Sequence, residues 1–130
     1  MIHIDRLDHL VLTVADIDAT VGFYGRVLGM KPLTFGAGRR ALAFGRAKIN
    51  LHQAGHEFDP RAARAVPGSA DLCLISVEPL DQVISHLERE GVPIEEGPVR
   101  RTGAVGPIDS VYVRDPDGNL IEISVYPGDR

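Results

Sequence analysis

The order of elements predicted along this chain occurs twice, and that repeat limits the fold more than any other feature. The first apolar stretch, residues 7–14, alternates: Leu10, Leu12 and Val14 share one face, His9, Val11 and Thr13 the other. Asp16 then stands where a helix N-cap belongs. Ile17, Val21, Tyr24 and Leu28 follow at helical spacing, and Gly29 sits where a glycine ends a helix. Three short strands come next, at about 31–35, 40–45 and 48–53, broken by Gly36-Ala37-Gly38 and Gly45-Arg46-Ala47. The second half runs through the same series: a strand at 70–77, a helix at 80–90 with Leu80, Ile84 and Leu87 in step, Gly91, and strands at 94–96, 110–114 and 120–126. The Leu80/Ile84/Leu87 set lies 63 residues after Ile17/Val21/Tyr24, and Gly91 lies 62 after Gly29, a repeat with a one-residue slip.

This pattern predicts an α+β fold of two βαβββ modules, eight strands in all, within a single domain. The first module covers 1–53, a linker rich in Pro, Arg, Ala and Gly covers 54–69, and the second module covers 70–130. Two four-stranded sheets that each bury one helix can curl their open faces around a central cavity for a metal or ligand. Residues 97–107, with Gly97, Pro98, Gly103, Gly106, Pro107 and Arg100-Arg101, are expected to form a long loop, a lid or pocket rim.

Composition narrows the function. Of the 130 residues 44% are hydrophobic and 25% charged, which suits a folded domain. A formal net charge of −4 argues against nucleic acid or acidic membranes as partners. No apolar run approaches the roughly 18 residues that span a bilayer. The opening residues lack the basic and apolar regions of a secretion signal. The one cysteine, Cys73, has no partner for an internal disulfide, so a cytoplasmic, reducing location is expected.

Ligand-type side chains fall on the first and last strand of each half, away from the aliphatic face. They are His9, His52, Asp71 and Glu122. Glu122, between Ile121 and Ile123, needs an explanation, because burying an unpaired carboxylate costs several kcal/mol. A divalent cation removes that cost. Two imidazoles with one or two carboxylates suit Zn, Fe, Mn, Ni or Co without choosing among them. Each residue also has an ordinary reading. A strand histidine can be half-buried and hydrogen-bonded, Glu122 can face solvent from an edge strand, and Asp71 can be strand-start chemistry. Cys73 reads as an inert core thiol.

Three motifs carry a family resemblance across essentially the whole chain. Leu7-Asp8-His9-Leu10-Val11-Leu12-Thr13-Val14, Phe23-Tyr24 with Val27-Leu28-Gly29-Met30, and Asp115-Pro116-Asp117-Gly118-Asn119-Leu120-Ile121-Glu122 resemble the vicinal oxygen chelate superfamily, which joins glyoxalases, bleomycin-resistance proteins and extradiol dioxygenases. Asn50-Leu51-His52-Gln53, Val66-Pro67-Gly68-Ser69 and Ile94-Glu95-Glu96-Gly97-Pro98 look like its glyoxalase-domain-containing-protein-five type. The resemblance implies paired βαβββ modules, a homodimer, and a metal at four strand positions that carry over to His9, His52, Asp71 and Glu122. This set departs from glyoxalase I, which has Glu on the fourth strand and His on the fifth. It departs from extradiol dioxygenases too, whose second histidine comes from the fifth strand, where Asp71 stands here.

The expected function is a divalent-metal-dependent enzyme of lyase or isomerase type, chelating adjacent oxygens of a small-molecule substrate. Glu122 and Asp71 are the candidate catalytic residues, Asp71 as fourth ligand or general base. Arg101, and after it Arg39 or Arg100, is the candidate anchor for an anionic substrate group. The alternatives are a ring-cleaving non-haem iron dioxygenase, using two His and one carboxylate, and a non-catalytic drug- or metabolite-binding resistance protein.

Overall fold

The structure is a computed structural model that describes residues 1–128. The chain divides into two compact units, Met1–Pro67 and Gly68–Arg130. The segment expected as a linker belongs almost entirely to the first.

In the first unit β1 (His9–Val14) leads into α1 (Ile17–Leu28), followed by β2 (Lys31–Phe35), β3 (Arg39–Phe44) and β4 (Ala47–Gln53). Asp16 caps α1 as its residue type predicts, its side chain accepting from the Ala19 N–H at 3.2 Å. Gly29 ends the helix at φ 67°, and its N–H reaches back to the Gly25 carbonyl. The strands lie in the order β1-β4-β3-β2, with β1 and β4 parallel and the other pairs antiparallel. Leu12, Val14, Leu42, Ile49 and Leu51 on the sheet, with Tyr24 and Val27 on α1, are buried. The alternation read from the sequence is therefore the division between a helix-covered face and an open one.

The second unit has the same plan. It comprises β5 (Asp71–Ile75), α2 (Leu80–Arg89), β6 (Glu96–Gly103), β7 (Gly106–Arg114) and β8 (Leu120–Val125), in sheet order β5-β8-β7-β6 with β5 and β8 parallel. Leu80, Leu87, Val111, Val113, Ile121 and Ile123 are buried. The duplicated βαβββ architecture expected from the sequence is thus present in full, as two open four-stranded sheets.

The segment 97–107 is not a loop. It forms most of β6 and the start of β7, an antiparallel hairpin closed between Gly103 and Gly106. Pro98 is tolerated because β6 is an edge strand and the register shifts between Glu96 and Val99. Gly97 sits at that shift with φ 112°, where a Cβ would come within 2.5 Å of the Ser110 carbonyl oxygen. Glycine and proline mark a bulged edge here. Among the described residues no helix is long and apolar enough to cross a membrane.

Candidate functional site

The open face of each sheet holds the ligand-type side chains, and the two parallel strand pairs place them in matching registers. In the first unit His9 pairs with Lys48, and Asn50 lies two residues further along β4. In the second unit Asp71 pairs with Leu120, and Glu122 lies two residues further along β8. Asp71 is therefore the counterpart of His9, and the slip in the repeat does not turn it to the other face. By the same correspondence Glu122 matches Asn50, while His52 matches Ser124.

This register changes the role of His52. It pairs with Thr13, four residues along the ladder from His9, which separates the two by roughly 13 Å at strand spacing. The structure does not bring these two histidines together. His52 is 3% exposed, and its Nε2 lies 3.3 Å from Nη2 of Arg39. Arg39 can only donate, so the His52 proton is assigned to Nδ1, which is buried with no hydrogen-bond partner. Burial, and then the Arg39 charge, hold the imidazole pKa below its ordinary value. A ring whose Nε2 lone pair faces a guanidinium is poorly placed to bind a cation, which weighs against His52 as a metal ligand.

His9 is differently placed. Its Nδ1 lies 2.8 Å from the Asp8 carboxylate, whose pKa this contact lowers. That pairing orients the ring and leaves Nε2 for another partner, as a carboxylate does for a metal-bound histidine. Asn50, not among the ligand candidates read from the sequence, is 7% exposed, and its Oδ1 has no partner.

In the second unit Glu122 is half-buried and held through one oxygen. Ser110 donates to its Oε2 at 2.7 Å, and Ser124 approaches the same atom at 3.4 Å. The two serine hydroxyls lie 2.6 Å apart, and Cys73 Sγ lies 3.3 Å from Ser124. Cys73 is exposed in this unit, not in the core as its residue type suggests. Desolvation still pushes its thiol pKa up, as does the charge of Glu122, while the Ser124 hydrogen bond opposes both. A thiol of this kind is a weak nucleophile. Asp71 is exposed at the start of β5.

The candidate anion anchors also separate. Arg101 Nε donates to the Tyr112 hydroxyl at 3.1 Å, and Tyr112 pairs with Glu122 across the β7–β8 ladder. Arg101 also forms an ion pair with Glu96. Arg100 is drawn to Asp109 at 2.6 Å, on the opposite side of the strand from Arg101. Arg39 has no carboxylate partner among the described residues and lies on the open face of the first unit.

Among the described residues no three His, Cys, Asp or Glu side chains are grouped so as to hold a metal ion. The first unit carries an oriented imidazole and an amide oxygen, and the second carries two carboxylates. The donor chemistry of His9, Asp71 and Glu122 fits a divalent cation, and the partnerless Asn50 oxygen is a further neutral donor.

Two βαβββ units with equivalent registers define a class of proteins built from a duplicated module. The model of the Glyoxalase/Bleomycin resistance protein/Dioxygenase superfamily matches residues 6–123, and the chain belongs to that superfamily. It is 59% identical over 123 residues to the virulence protein STM3117 of Salmonella typhimurium, covering 95% of this chain and 85% of that one. The crystal structure of STM3117 superposes with a TM-score of 0.95 at 58% identity, covering 96% of this chain and 99% of that one. An integron cassette protein from the mobile metagenome of V. cholerae gives a TM-score of 0.95 at 60% identity, with 97% and 98% covered. The glyoxalase domain-containing protein RDO1 of Mycosarcoma maydis is 57% identical over 120 residues, 92% of this chain and 68% of its own length.

Proposed function

We propose that the protein is a divalent-metal-dependent enzyme of lyase or isomerase type, acting on a small substrate with adjacent oxygen atoms. The observation that carries this reading is the shared register. His9 with Asn50, and Asp71 with Glu122, occupy equivalent positions on the open faces of the two units. A metal held by His9, Asp71 and Glu122 would act as a Lewis acid on the substrate oxygens. Asp8 fixes the His9 ring, and Ser110 fixes one oxygen of Glu122 while leaving the other free. Asp71, exposed at its strand start, serves as a ligand or as the general base that moves a proton. Arg101, on the same face as Glu122, is the proposed contact for an anionic substrate group. We also propose a homodimer, since β1, β2, β5 and β6 are sheet edges paired on one side only, and a cytoplasmic location, which suits the lone cysteine.

A second reading, a binding protein without turnover, is favoured by one observation: the counterpart of Glu122 is the neutral Asn50. The ring-cleaving dioxygenase has less support, because Arg39 already engages the second imidazole it needs.

Elemental analysis of purified protein, beside a folded His9→Ala/Glu122→Ala variant, tests the enzyme reading. We expect about one transition metal per chain in the wild type and loss of it in the variant. Retention of full occupancy by the variant would sink the ligand assignment. If neither protein takes up metal after reloading with several ions, the binding reading replaces it.

A further inference from the structure

The open face of the first unit carries a second cluster of polar groups that the ligand set above does not use. Arg39 is the first residue of β3, and its guanidinium lies between two aromatic rings, 4.4 Å from the centroid of Phe58 and 5.4 Å from that of Phe35. Lys48 sits over the same Phe35 ring, with Nζ 3.8 Å from its centroid. Two cations thus share one aromatic ring, and like charges held together repel unless an anion lies between or beside them. The ring faces offset part of that cost.

The nearest carboxylates are committed elsewhere. Asp8 pairs with the His9 ring at 2.8 Å, although the Lys48 charge reaches it. Glu57 accepts from the Gly55 N–H at 2.6 Å and from Arg61 at 3.1 Å. Beside the cations, His52 holds a buried Nδ1–H without a partner, a donor an anion can accept from. Leaving a buried donor unsatisfied is costly, so His52 packs well only when an acceptor completes it. An Arg stacked on aromatic rings is also preorganised, with its fork of donors fixed in direction and little rotamer freedom left to lose on binding.

We propose that Arg39 and Lys48 form an oxyanion-binding subsite on the open face of the first unit, which takes the carboxylate, phosphate or phosphonate group of a small-molecule ligand. The subsite lies on the sheet face that also carries His9 and Asn50, so it extends the proposed function by giving an anionic group of the substrate a contact on the first unit besides Arg101 on the second. It does not depend on a metal. Phe35 and Phe58 flank the subsite, which favours a ligand whose anionic group is joined to an apolar or planar body.

The test is a titration of the full-length, metal-free protein in a chelator, with inorganic phosphate and, separately, acetate, followed by two-dimensional amide NMR. We expect saturable shifts at residues 35, 39, 48, 52 and 58. Arg39→Gln and Lys48→Gln should each weaken binding by about tenfold or more, the scale of one charged hydrogen bond, and the double variant should abolish it. Saturation by acetate alone would mark a carboxylate ligand, and by phosphate alone a phosphate or phosphonate ligand. An absence of saturable shifts, or equal affinity in a double variant whose spectrum stays folded, would overturn the proposal. Should Arg39→Gln unfold the protein, Lys48→Gln decides the matter alone, because Lys48 is only half-buried and remote from the helix-covered face. The chelator keeps the outcome separate from the metal analysis, so either proposal can fail without the other.

Discussion

Replacing Ser110 with alanine tests whether Glu122 is held as a ligand should be. Ser110 is 0% exposed and its hydroxyl meets two partners: it donates to Glu122 Oε2 at 2.7 Å and lies 2.6 Å from Ser124 Oγ. Without it, Oε2 keeps only the 3.4 Å approach of Ser124. A hydrogen bond to a charged group contributes about 1.5–3 kcal/mol and a neutral one about 1 kcal/mol. Glu122 is half-buried, so water replaces part of the first loss, and the expected destabilisation is about 2 kcal/mol. For a chain of this length that lowers Tm by roughly 8 °C. A double-mutant cycle with Glu122→Gln isolates the charged bond and should give a coupling of about 1 kcal/mol. If Glu122 binds metal, freeing its carboxylate should also weaken metal affinity by about 10–100-fold, the usual cost of losing an orienting partner. Urea unfolding reads the first quantity and chelator competition the second. A Ser110→Ala protein with wild-type stability and no coupling to Glu122 would refute the reasoning. Altered stability with unchanged metal affinity would confine Ser110 to packing.

Two further outcomes follow from buried polar groups. The folded-state pKa of His52 is depressed, so the unfolded chain binds more protons as pH falls below the ordinary histidine value of about 6.5. Stability should therefore fall on acidification from pH 7 through that window and level off below the folded pKa. His52→Gln should flatten this part of the urea-midpoint profile, and an unchanged profile would assign the dependence to other groups. Asn119, 1% exposed, donates from Nδ2 to Asp115 at 2.8 Å and accepts the Ala70 N–H at 2.8 Å, tying the start of β5 to the turn before β8. Asn119→Ala leaves the Ala70 N–H and one Asp115 oxygen without these partners and should cost about 2–4 kcal/mol, read by urea unfolding. A loss under 0.5 kcal/mol would show that water replaces it.

The fold was legible because its signals are local and occur twice. Asp16 and Gly29 bound α1 where capping chemistry requires, and the aliphatic alternation of β1, β4 and β8 marks the helix-covered faces. The failure at 97–107 has an equally local cause. Gly97, Pro98 and Arg100-Arg101 carry the residue statistics of a loop, yet an edge strand can seat a proline and a bulge can seat a glycine at φ 112°. Nothing within that stretch distinguishes the two cases. The deciding contact is with β7, through pairs such as Arg100 with Asp109, and a pairing of that kind is not read from one strand alone.

The strand and face of each candidate residue were legible, but not the rung it occupies. His52 and Asn50 lie on the same side of β4, so alternation cannot choose between them, and residue type favours the histidine. Register decides, because a ligand set must converge in space and one step of two residues along a strand moves a side chain about 7 Å. Matching β1–β4 to β5–β8 pairs Asn50 with Glu122 and sends His52 to the position of Ser124. Asn50 is thereby an uncharged amide at the register position where the second module carries a carboxylate. A set of one imidazole, two carboxylates and an amide oxygen would be harder than the two-histidine set read from sequence, which left Zn, Fe, Mn, Ni and Co open. Asn50→Glu would restore the symmetry of the two modules. In that variant metal affinity should rise while anionic ligands bind more weakly, since the new charge lies on the face that holds Arg39 and Lys48. A variant with unchanged metal affinity would place Asn50 outside the ligand set and leave its buried oxygen to the bound ligand instead.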